Sequence, residues 1–132
     1  MKRQWIHLPS YDWTVYVYYW AGREDAEEIL GMLQEIGCSE SALSAARQNL
    51  HGSMIDTGLT YTNDRCRSTV IVISRCSSTE EFWNTLDHEK GHATQHIGSA
   101  IGLDYAGEEQ QYLAGELSRE MYPAAKPFIC GC

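Results

Sequence analysis

His88-Glu89-Lys90-Gly91-His92 is the stretch that decides how this chain is read. On a helix, residues four apart share a face, so His88 and His92 direct their ring nitrogens to a common point, with Glu89 beside the first of them. Two imidazoles and a carboxylate at this HExxH spacing are the parts of a zinc hydrolase: the histidines hold the ion and the glutamate takes a proton from its water. With 5 His in 132 residues, composition alone produces the pattern only about 0.02 times in a chain of this length. The spacing therefore predicts a Zn²⁺ site, with His88 and His92 as ligands and Glu89 as general base.

The surrounding residues read as the helix that this site needs. Ser78 followed three residues later by Glu81 is a capping box that starts it. At about 100° per residue, Phe82, Leu86, Ala93, Ile97 and Ala100 fall on a stripe facing the core, His88, His92 and His96 form a second stripe, and Glu89 lies between them. His96 stands about 12 Å from His88 along the axis, too far for both to share one ion with His92 between them. It reads as a cleft residue, one that supports the ligands, or a polar surface residue. The third ligand is expected downstream, where residues 102–107 (Gly-Leu-Asp-Tyr-Ala-Gly) break the helix and Glu108 to Glu116 begin another. Glu108, Glu109 and Glu116 are the candidates. A simple antiparallel helix pair would bring Glu116 level with His92, whereas Glu108 needs an early bend or a steep crossing.

Upstream, Trp13 to Trp20 is β-branched and aromatic throughout, a strand apolar on both faces. Asp25 and Glu28 suggest a cap for an amphipathic helix carrying Ala26, Ile29, Leu30, Leu33 and Ile36, ended by Gly37. A shorter helix is expected from Ser41 to Leu50, stopped by Gly52. Residues 54–62 and Ser68 to Ser74 then read as a hairpin, the second strand interior and the first, Gly- and Thr-rich, at an edge. A free edge can pair with an extended peptide. After Met121, Pro123 and Pro127 predict the end of the last helix and an irregular tail, with Phe128 and Ile129 against the core.

One domain suits this length. A net charge of -8 repels a phosphate backbone, which argues against nucleic acid as a partner. No apolar run reaches the roughly 18 residues of a membrane span. The N-terminus reads as mature protein without a signal peptide, and the expected location is cytoplasmic. Five cysteines follow no paired spacing, so reduced thiols are expected, and Cys130-Gly131-Cys132 is too closely spaced for the usual zinc pair.

His88-Glu89-x-x-His92, followed by a helix opening Gly107-Glu108-Glu109-x-x-Tyr112-Leu113-x-Gly115, resembles the short gluzincin-type metallopeptidases encoded by bacteriophages and mobile elements, and more distantly the ImmA/IrrE-type metallopeptidases. The resemblance spans roughly residues 57–117. The order of elements predicts a compact α+β zincin-like domain, a small, mostly antiparallel sheet packed on the HExxH helix and a ligand helix; the resemblance agrees with it. The resemblance further implies a Glu ligand four residues before an aromatic, which selects Glu108, and a peptide or protein as substrate. A catalytically silent metal-binding or virion-associated protein is one alternative, and a structural domain whose HExxH holds no metal is the other.

Overall fold

The computed structural model describes residues 1–52 and 54–130. Four strands, β1 (Lys2–Leu8), β2 (Trp13–Ala21), β3 (Gly58–Asn63) and β4 (Ser68–Ser74), form one sheet in the order β1-β2-β4-β3. β1 and β3 pair antiparallel with their neighbours, whereas β2 and β4 run parallel, so the small sheet is mixed. The parallel pairing follows from the long crossover between them, which contains α1 (Ala26–Glu35), α2 (Glu40–His51) and β3. Two further helices, α3 (Thr79–Ala100) and α4 (Glu108–Ile129), complete the α+β domain.

The two central strands read as continuous apolar runs because both of their faces are covered. Val15, Val17, Tyr19, Ile71 and Ile73 pack under α3 and α4 with Phe82, Leu86, Ile97, Leu113 and Leu117. On the opposite face Tyr18, Val70 and Val72 pack under α1 and α2 with Ile29, Leu33, Leu43 and Leu50. β3 is the edge beside β4, as its polar composition predicts. The helix ends follow their local signals. Ser78 accepts the Glu81 N–H at 3.1 Å, and Gly37 and Gly102, with φ of 87° and 79°, take the left-handed conformation that ends α1 and α3.

Five local expectations are corrected. β1, which the sequence reading passed over, is a strand buried on one side only, at Ile6 and Leu8. Asp25 caps a single 3-10 turn by accepting the Gly22 N–H at 2.8 Å, and Glu28 turns away to Arg3. α2 starts earlier than Ser41, because Ser39 accepts the Ala42 N–H at 3.2 Å. Ala100 is exposed. The fifth concerns the prolines: α4 continues through Pro123 and Pro127 to Ile129. The two prolines, four apart, share its solvent side, while Met121, Ala124 and Ala125 are buried and Phe128 and Ile129 pack on the core. The carbonyls left without N–H partners by the prolines lie on the wet side, and the buried side keeps the helix intact. Cys132, the second thiol of the C-terminal pair, lies outside the described residues.

Candidate metal centre

α3 turns Phe82, Leu86, Ala93 and Ile97 into the core, and this rotation sets Glu89 directly over β3. Glu89 is only 7 % exposed. Thr60 Oγ1 donates to Glu89 Oε1 at 2.8 Å and stands 3.1 Å from the backbone carbonyl of Glu89. Gly58 makes room for it: a Cβ there would lie 2.6 Å from Glu89 Cγ and 2.8 Å from the Val72 carbonyl oxygen. The edge strand thus holds the expected general base through one hydroxyl and one missing side chain.

His88 and His92 lie further round α3 and are exposed. Their Nε2 atoms stand 3.1 Å apart, and the rings meet at 85° with centroids at 4.7 Å. Two nitrogens bound to one tetrahedral zinc at 2.0–2.1 Å would be about 3.3 Å apart. The pair therefore fits two positions of the ion that the motif implies. The same separation suits an N–H···N bond between neutral rings.

The α4 carboxylates are not brought to this point. α4 packs on the opposite flank of α3, where Lys90 Nζ donates to Ser118 Oγ at 2.7 Å and buried Gln110 donates to the Thr94 carbonyl at 3.1 Å. Lys90 and Thr94 each stand two residues past a histidine, about 200° of helix rotation. Glu108 and Glu109 are exposed at the start of α4 and Glu116 is half-buried one flank away. Glu116 and Glu109 lie near Tyr11 of the β1–β2 turn, whose hydroxyl is raised first by burial and then by their charge. Among the described residues no three His, Cys, Asp or Glu side chains are grouped as a metal site.

His96 continues the histidine row, its ring centroid 6.2 Å from that of His92. Its Nδ1 lies 3.0 Å from Thr62 Oγ1. Burial, followed by the neighbouring His92, lowers its pKa and favours the neutral ring. Thr62 in turn meets Thr69 Oγ1 at 2.9 Å, which receives the indole N–H of buried Trp13 at 2.9 Å.

Two clefts flank the row. One of about 280 Å³, lined by Asp56, Thr57, Gly58 and Asn84, opens beside His88 and Glu89. The other, about 560 Å³, lies beside His96 between Thr62, Asp64, Gln95 and Ser99. Sequence reasoning missed Thr60, Thr62 and the close approach at Gly58. Their signal was present in Gly58-x-Thr60-x-Thr62, a period-two row of small and hydroxyl residues on one face of an edge strand. Comparison with family models, with curated proteins and with solved structures yields no match.

Proposed function

We propose that this protein is a zinc-dependent hydrolase of peptides, with His88 and His92 as metal ligands and Glu89 as general base. The observation that carries the reading is the convergence of the two Nε2 atoms at 3.1 Å beside a carboxylate clamped by Thr60. When bound, zinc polarises a carbonyl oxygen and makes its water acidic near neutral pH. Thr60 occupies Oε1 of Glu89, leaving Oε2 to take up a proton and return it to the leaving amine. An extended peptide suits the edge strand. Ser74 N–H donates to the Thr57 carbonyl at 3.0 Å, and from there the register turns the N–H and C=O of Gly58, Thr60 and Thr62 to the free side.

A second reading, a metal-binding protein without catalysis, draws support from the position of the α4 carboxylates, since catalytic zinc sites commonly have three protein ligands. Glu89→Gln separates the two. In the hydrolase this substitution keeps the zinc and lowers cleavage of a broad peptide library by at least about a hundredfold. A zinc-loaded wild type that cleaves nothing in that library supports the silent binder.

A further inference from the structure

We infer that His96 is a hydrogen-bond donor to the substrate oxygen at this site, its Nε2–H presented by a relay that begins at Trp13, and that it is not a metal ligand. The inference rests on the hydrolase reading, which leaves the stabiliser of the developing oxyanion unassigned. The relay follows from donor counting. An indole N–H only donates, so Thr69 Oγ1 must accept from Trp13 at 2.9 Å. Thr69 is fully buried, and its own proton points to Thr62 Oγ1, 2.9 Å away. The Thr62 proton then goes to His96 Nδ1 at 3.0 Å. This is the arrangement that gives all three protons a partner within the protein, and it makes Nδ1 an acceptor. The ring is then the Nε2–H tautomer, with its donor on the side away from Thr62.

The ring that carries this donor neighbours one of the two proposed metal ligands. The His96 ring follows His92 at 6.2 Å and is tilted 32° to it, half-buried at the cleft beside Thr62. A peptide paired on the free edge of β3 passes Thr60, next to Glu89, and then Thr62, next to His96. A carbonyl oxygen acquiring charge between them meets an N–H already in place, which is how a preorganised donor lowers a barrier. A nitrogen that carries this proton has no lone pair to offer a metal.

Long-range proton–nitrogen NMR of the full chain, with and without added zinc, reads the tautomer without any activity. The Nε2–H form of His96, retained when zinc shifts His88 and His92 and lost in Thr62→Val, is the expected result. An Nδ1–H ring, or a zinc-induced shift of His96 Nε2 matching those of His88 and His92, overturns the proposal whatever the activity. His96→Ala should keep stoichiometric zinc and lower kcat by about 10²- to 10³-fold with a smaller change in KM. His96→Gln, which retains an N–H donor, should recover part of that loss. An unchanged kcat in His96→Ala, or loss of zinc, also overturns the proposal. If the wild type cleaves nothing while the Nε2–H tautomer is found, the hydrolase reading fails, taking with it the role at the substrate oxygen but not the fixed donor.

Discussion

The two flanks of α3 carry similar polar residues and put them to opposite use. Towards α4, Lys90 is bound to Ser118 and the Thr94 carbonyl to Gln110. Gly98 lets the Gln110 side chain approach so closely that a Cβ would lie 2.0 Å from its Oε1. Lys90 and Gln110 are thereby tied across the two helices, and this flank serves as packing. Towards β3, Thr60 and Thr62 engage one atom each of Glu89 and His96 and leave the other oxygen and nitrogen free, while His88 and His92 face solvent. Polar groups half satisfied by a rigid neighbour are oriented and still able to react. The difference lies in the partner element: α4 brings polar side chains of its own to bond with those of α3, whereas the edge strand offers only the two threonine hydroxyls.

The strongest challenge to this contrast is removal of the metal pair. His88→Ala with His92→Ala should abolish zinc binding, measured by metal analysis, while changing the stability of the metal-free protein by no more than about 0.5 kcal/mol, because both rings are exposed. Zinc that persists places the ion elsewhere. The three α4 variants Glu108→Ala, Glu109→Ala and Glu116→Ala should each bind zinc as tightly as the wild type. Loss in Glu108→Ala alone would show α4 reaching round to the histidine side, as the resemblance implies.

Gly98→Val should destabilise the fold by about 2–4 kcal/mol in denaturant unfolding, since it displaces the buried Gln110 and its hydrogen bond. The folded variant should still bind zinc, because the damage is confined to the packed flank. A smaller cost, about 1–3 kcal/mol, is expected for Thr60→Val, which preserves shape but leaves a buried carboxylate without its donor. In contrast with Gly98→Val, this variant should lose activity out of proportion to its stability. Equal retention of activity by the two variants would erase the distinction between the flanks. Of the changes on the two flanks, Ser118→Ala should cost least, roughly 0.5–1 kcal/mol with no change in zinc affinity, because Lys90 retains Asp87 at 3.9 Å.

What the sequence determined by itself was local and periodic. The capped helix with His88, Glu89 and His92 on adjoining stripes, the strand at Trp13, the hairpin with its polar edge and the glycine stops all depend on residues within a few turns of one another. Short-range geometry sets these features directly. Tertiary structure decided the rest. Thr60 lies 29 residues from Glu89 and Thr62 lies 34 from His96, and no periodicity ranks such pairs. A helix of this amphipathic pattern can be covered on either flank. The packing of Gln110 against Gly98 assigned α4 to the flank away from the histidines, so Glu108, Glu109 and Glu116 could not be placed from spacing. The run of α4 through Pro123 and Pro127 has the same origin. The local cost of each proline is real, but it falls on the solvent side, and burial of Ala124, Ala125 and Phe128 against the sheet outweighs it.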